Sequence, residues 1–242
     1  MRIAVLSDVH GNLPALEAVL AEVEDEGFDL IVSAGDVVAG PMPRECLERL
    51  AGFGDRVRWV MGNADREVVA AFDGALADDP ADSATRDAHF AAARLERRHR
   101  DLLASFAPAV VAGQALVCHG TPASDTQILT PRSSPERFAA ALEGVDAPVA
   151  VGGHVHLQFL QRAGSTLWCN AGSVGLPYEG APGAYWLALT SEAPNLRRTR
   201  YDVDAAHAAI AATGYAGAED FLAAIAGGVS REAAMDAFDP PA

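Results

Sequence analysis

The 242-residue chain contains no lysine: all 18 of its Lys/Arg residues are arginine. Schiff-base chemistry and a P-loop lysine are therefore excluded, whatever the fold. Cysteine is scarce as well. Cys46, Cys118 and Cys169 make an odd set of three without C-x-x-C spacing, and the last two sit in apolar, strand-like runs as expected of buried free thiols. Positive charge is in deficit, with a net charge of −15, which argues against broad binding to a nucleic-acid backbone. No apolar run approaches the roughly 18 to 20 residues that cross a bilayer. Met1-Arg2 is followed by only four apolar residues before Ser7-Asp8, far short of a signal h-region. A cytoplasmic protein without membrane association is expected.

What is present suits a sizeable core, since 50% of the residues are hydrophobic. One domain over residues 1–242 is the economical reading. "MRIAVLS", "FDLIVSAGD" and "RVRWVMGN" read as strands, separated by helical patterns over residues 13–26 and in "PRECLERLAGF". Such alternation implies a largely parallel, doubly covered sheet. Residues 73–107, arginine-rich in their second half, break the rhythm and read as a helical insertion over the domain edge. Strand patterns return at "AVVA", "ALVCHG" and "APVAVGGH", then a hairpin turning at Ala163-Gly164, then "GAYWLAL" and "LRRTRYDV". "DAAHAAIAAT" and "AEDFLAAIAGG" read as terminal helices, and residues 239–242 as a frayed tail.

The early strands end in polar residues: Asp8-Val9-His10, Gly35-Asp36, and Gly62-Asn63-Ala64-Asp65. The intervals between these ends match a strand–helix–strand step of about 30 residues. All three should therefore lie at the carboxyl edge of neighbouring strands, where open α/β sheets bind ligands. His119-Gly120 and Gly153-His154-Val155-His156 end two later strands. The i, i+2 pairs Asp8/His10 and His154/His156 share one face if the chain is extended there. Asp, Asn and His without thiolates suit manganese, iron, zinc or nickel. Seven ligands are too many for one ion and suit two ions sharing a carboxylate, a clamp for displacement at phosphorus.

The ordered set D-x-H, G-D, G-N-x-D, H-G and G-H-x-H resembles the calcineurin-like metallophosphoesterase superfamily. "SDVHGN" together with "NAGSVG" (170–175) is most similar to its small bacterial and archaeal phosphodiesterase branch. The resemblance implies an α/β fold, a four-layer αββα sandwich of two mixed β-sheets flanked by helices, with a dinuclear site at the strand ends. It implies that Asp8, His10 and His156 hold one divalent metal ion and Asn63, His119 and His154 the other, with Asp36 bridging. Asp36, Asn63 and His119 would also carry catalysis, and manganese is the first expectation for the metal. The implied activity is hydrolysis of a small phosphoester by metal-activated hydroxide, a phosphodiesterase first and a phosphomonoesterase or nucleotide pyrophosphatase second. A metal-binding protein-interaction scaffold, as in the retromer subunit of the same branch, is the reading from another class. No oligomeric state follows.

Ala64 departs from the wider superfamily, where a histidine at this position contacts phosphate and assists the leaving group. A methyl group donates no proton, so a preference for good leaving groups is expected. Asp65 reads as a cap for a helix starting near Arg66. Asn12 reads as an N-cap that could also touch substrate, and Asn170 and Ser173 as supports for the ligands. "RLERRHR" (94–100) reads as a solvated helix face rather than a substrate-steering patch. His89, His99 and His207 read as surface residues.

Overall fold

The structure, a computed structural model, describes residues 1–239. Among them the chain forms ten strands and nine α-helices. In β1 (Ile3–Leu6), Ile3 and Val5 face one way and Ala4 and Leu6 the other, as the two-residue pleat requires. Parallel to β1 runs β2 (Leu30–Ser33), and parallel to that β3 (Val57–Trp59). Antiparallel β9 (Ala184–Leu189) and then β10 (Asn195–Thr199) complete a sheet of order β10-β9-β1-β2-β3. A second sheet runs β4 (Ala109–Ala112), β5 (Ala115–Cys118), β6 (Val149–Gly152), β8 (Thr166–Ala171), β7 (Gln158–Ala163). Its three central strands are parallel and its edges antiparallel.

Period-two burial assigns the layers. Val5, Val32 and Ala34 meet Val117, Val151 and Ala171 between the sheets. Leu6 and Ile31 lie on the opposite face of the first sheet, under α1 (Leu13–Asp25) and α2 (Pro43–Ala51). Cys118, Ala150 and Trp168 lie on the outer face of the second sheet, against Phe138 of α6 (Pro135–Ala141) and Ala234 of α9 (Arg231–Phe238). This is the αββα sandwich that the resemblance implies. Strand–helix alternation alone suggested one sheet with helices on both faces. Instead each sheet takes helices on one face and the other sheet on its second face.

Several boundaries differ from those expected. α3 (Asn63–Phe72) begins three residues before Arg66, directly after the Gly62 turn. The β7–β8 hairpin turns at Gly164-Ser165, one residue later than expected, because Ala163 still pairs with Thr166 and Gly164 takes the positive φ of 59°. β10 stops at Thr199, before Tyr201. α6 and α9 were not anticipated, although each has a local signal: Ser134 caps Arg137 N–H ahead of Pro135, and Ser230 caps Ala233 N–H. The two expected terminal helices are present as α7 (Val203–Ala211) and α8 (Ala218–Ala223). Asp239 is not frayed, since its carboxylate accepts from Thr130, Ser133 and Arg137. Residues 240–242 of that tail lie outside the described residues.

The 73–107 stretch holds α4 (Ser83–Ala92) and α5 (Arg97–Leu103). It joins the helical layer of the first sheet beside its edge strand β3, where Ala107 bridges Val60. Ala88, Ala91, Leu95 and Leu103 enter the core, and Phe106 stacks on Trp59 at 4.8 Å between ring centroids. Its arginines are engaged: Arg97 pairs with Asp101, Arg98 with Glu48, and Arg100 with Asp73. His99 is buried, not on the surface. Its ring closes a capping box with Glu96 and reaches Glu48. All three cysteines are free and buried, and burial pushes Cys118 and Cys169 up to about 12.

Candidate metal centre

The polar strand ends all emerge at one end of the sandwich. Asp8 and His10 follow β1, Asp36 follows β2, Asn63 opens α3 after β3, His119 follows β5, and His154 and His156 follow β6. Among the described residues, Asp8, His10, Asp36, His154 and His156 are the only non-glycines with positive φ, between 45° and 68°. The i, i+2 pairs are thus not on extended chain, as expected, but on tight left-handed turns just beyond the strands. Such backbone costs about 1–3 kcal/mol per residue and persists where surrounding bonds over-determine it. Here Asp8 N–H donates to Gly35 O at 3.0 Å and His10 N–H to Asp36 O at 2.9 Å. Ser173 Oγ donates to the Asp8 carbonyl at 2.7 Å, and Asn170 Nδ2 to the Gly153 carbonyl at 2.7 Å. The supporting role expected of Asn170 and Ser173 has this physical content.

Two groups of ligand-type atoms result: Asp8, His10 and His156 in one, Asp36, His119 and His154 in the other. Three imidazoles are clamped through Nδ1 to backbone carbonyls, His10 to Ala39 at 2.9 Å, His119 to Ala34 at 2.8 Å and His156 to Leu176 at 2.6 Å. A carbonyl only accepts, so each Nδ1 carries a proton, which leaves Nε2 as the ring atom free to offer a lone pair to a metal. Nε2 of His10 then faces Nε2 of His156 at 3.2 Å. Nε2 of His119 faces both Asn63 Oδ1 and Asp36 Oδ2 at 3.2 Å. Asp8 Oδ1, buried and without a hydrogen-bond partner, lies 3.2 Å from His156 Nε2 and 3.8 Å from His10 Nε2. Acceptors turned on one another repel unless positive charge lies between them. Two ligand atoms about 2.1 Å from a shared ion, at right angles, stand about 3.0 Å apart, so these spacings fit metal ligation. Asp36 Oδ2 is also 3.8 Å from His10 Nε2, which places that carboxylate between the two groups. Asn63 belongs with the second group through His119.

The local charge balance has the same sense. Burial raises Asp8, but His156 and His119 outweigh it and hold the carboxyl at about 2. Burial likewise opposes ionisation of Asp36, and His119, with His10 and His154, still holds it well below the usual range. Both carboxylates are therefore anionic at neutral pH and attract cations. Burial pushes His10 and His154 down, reinforced by His156 and His119 respectively, keeping these rings in the neutral form that binds metal.

Asp65 is a correction. It is not the N-cap of α3, a position held by Gly62. Its buried Oδ1 accepts the Val37 and Val38 N–H groups at 2.9 and 3.2 Å, setting the loop that follows Asp36. Burial, with the Asp36 charge beside it, pushes the Asp65 carboxyl up to about 7. Asn12 does cap α1, accepting from Ala15 N–H, but it is fully buried and its amide donates to Gly175 O. It has no surface for substrate. Sequence reasoning missed Tyr178, whose ring stacks on His156 at 4.6 Å. No spacing signal announced it, because an aromatic ring on a long loop has no period.

Residues 1–193 match the Calcineurin-like phosphoesterase superfamily domain, so the chain belongs to that superfamily. The superfamily uses a dinuclear divalent metal site, and the two groups above are this chain's candidate ligands for it. Among solved structures, a metallophosphoesterase from Sphaerobacter thermophilus is similar with a TM-score of 0.75 and 28% identity, over 95% of this chain and 99% of that one. Phosphodiesterase YfcE of Escherichia coli (strain K12) is 27% identical over 194 residues, 76% of this chain and 85% of YfcE. A symmetrical bis(5'-nucleosyl)-tetraphosphatase of Klebsiella pneumoniae (strain 342) is 41% identical over 80 residues, which are 32% of this chain and only 28% of that enzyme.

Proposed function

We propose that this chain is a metal-dependent phosphoesterase acting first on phosphodiesters. Asp8, His10 and His156 would hold one divalent ion and Asn63, His119 and His154 the second, with Asp36 shared between them. The observation that supports this reading is the convergence of imidazole nitrogens and carboxylate oxygens into two adjacent groups whose atoms lie within 4.8 Å of one another in each. Two bound divalent ions would supply Lewis-acid activation of the phosphoryl group and of water. The chain's own contribution is orientation: carbonyl clamps fix three imidazole rings, and Ala64 N–H holds Asp36 Oδ1 at 2.8 Å. Manganese suits this oxygen and imidazole donor set. Similarity to YfcE across most of both chains favours a phosphodiester over a monoester, with a nucleotide pyrophosphatase as the neighbouring activity.

The test is metal content of the purified protein together with hydrolysis of bis(4-nitrophenyl) phosphate and 4-nitrophenyl phosphate, with and without added Mn²⁺. Two ions per chain and metal-dependent cleavage, faster on the diester, are expected. A chain that binds no metal under Mn²⁺ saturation would falsify the reading. A scaffold finds little support here. Met1, Val111 and Leu160 are the exposed large apolar side chains among the described residues, and the last two lie on opposite edge strands, β4 and β7, so they form no patch.

Two substitutions probe the mechanism. A Cβ at position 62 would stand 2.1 Å from Asp36 Oδ1 and 2.4 Å from Asp36 N, so Gly62→Ala must displace Asp36, carboxylate and backbone together. A shift of about 1 Å costs about 10²-fold in rate, and kcat/KM should fall by that order while circular dichroism stays unchanged. An unaltered rate would show that Asp36 is not held where the chemistry needs it. Ala64 places no acid beside the leaving group, and general-acid assistance is worth about 10²–10⁴-fold. A series of aryl diesters should therefore slow steeply as the leaving-group pKa rises, and Ala64→His should flatten that slope. If wild-type rates were independent of leaving-group pKa, another side chain must supply the proton.

A further inference from the structure

Beside the first ligand group lies a cavity of about 450 Å³, within the usual range for a small-molecule site. Tyr178 joins the two: one face of its ring stacks on His156, and the ring also lines the cavity. Tyr215, Phe221 and Phe238 supply further aromatic wall, with Phe90 edge-on to Tyr215 at 5.0 Å behind it. Much of this wall comes from residues beyond 193, where the superfamily match ends. α4 contributes the acidic side chain of Asp87 to the same lining as Tyr215.

The charges of the lining decide what enters. Two are acidic, Asp87 and Asp220, and the one arginine, Arg86, turns its guanidinium to the Pro80 carbonyl at 2.6 Å. A phosphate group is therefore unwelcome inside the cavity, whereas a flat apolar ring with hydrogen-bond donors suits both the aromatic wall and the Asp87 acceptor. We propose that this cavity takes the organic substituent of the substrate while the phosphoryl group sits at the histidine–carboxylate cluster, and that a nucleoside is the substituent it prefers. The inference rests on the phosphoesterase reading above and adds the substrate class to it.

The test is calorimetric titration of the full-length, Mn²⁺-loaded protein with inorganic phosphate, phenyl phosphate and adenosine 5′-monophosphate. Stacking on aromatic side chains is worth enough to be read as about a tenfold or larger gain. The nucleotide should bind at least about tenfold more tightly than phosphate, with phenyl phosphate in between. Asp87→Ala should bring the nucleotide down to phenyl phosphate. Ala233→Trp, at an exposed lining position on α9, should erase the advantage of both organic esters over phosphate, with melting temperature as a check on folding. If phosphate binds and the nucleotide binds no better, the cavity assignment is overturned and the metal centre stands. Equal binding of phenyl phosphate and nucleotide, insensitive to Asp87→Ala, overturns the nucleoside preference. If even phosphate fails to bind, the phosphoesterase reading itself falls, and this inference with it.

Discussion

Asp36→Asn will lower kcat for bis(4-nitrophenyl) phosphate by well over the roughly 100-fold that loss of an outer-shell partner costs a metal site. The substitution conserves shape, so the hydrogen bond that Ala64 N–H donates to Oδ1 can survive through the amide oxygen. What disappears is charge at the atom between the two ligand groups. Asp36 Oδ2 stands 3.2 Å from His119 Nε2 and 3.8 Å from His10 Nε2. If the amide nitrogen takes the Oδ2 position, it presents hydrogens where two imidazole lone pairs already point. Metal stoichiometry should fall below two per chain in the same variant, measured by elemental analysis. Full activity with both ions retained would remove Asp36 from the bridging position and dissolve the dinuclear assignment.

Removal of metal has the second large effect. Dialysis against a chelator should abolish hydrolysis, and Mn²⁺ should restore it. It should also destabilise the fold, because ions that bind only the native state stabilise it by mass action. At free metal near 1,000 times Kd, one site contributes about 4 kcal/mol. For a chain of this size, that corresponds to a fall in Tm of about 8–16 °C on chelation. Protons offset part of the loss. Burial lowers His119, but the Asp36 and Asp8 carboxylates outweigh it and raise the ring to about 10, so His119 is ready to take up a proton when a cation leaves. A Tm unchanged by chelator across the Mn²⁺ range would mean that no ion is bound at these residues.

The seven ligand-type residues were legible in the sequence, since each follows an apolar run, and the first three such runs recur at the interval of a strand–helix–strand step. Local chemistry also revealed the caps: Asn12 holds Ala15 N–H at the start of α1. The geometry within the motifs was less legible. D-x-H and H-x-H looked like one face of extended chain, yet Asp8, His10, His154 and His156 all adopt positive φ. Asp and His are enriched among non-glycine residues in that conformation, but the preference is weak, and here the conformation is fixed by bonds to distant loops, such as Asp8 N–H to Gly35 O. Asp65 shows the same limit. As a first-turn acid of a helix it satisfies the capping pattern, and only the neighbouring loop reveals that its carboxylate is used by Val37 and Val38.

The sequence alone thus determined the residue types of the centre, the strand ends that carry them, the exclusion of lysine chemistry and the absence of an acid at position 64. These are properties of single residues and of short periodic stretches, where neighbours in the chain settle the outcome. Tertiary structure alone decided that the sheets stack face to face, that Nε2 of His10 and Nε2 of His156 face one another, and that Asp87, Tyr178, Tyr215 and Phe238 wall one cavity. These depend on contacts between residues far apart in the chain. Their positions follow from packing of whole layers, which no local pattern encodes.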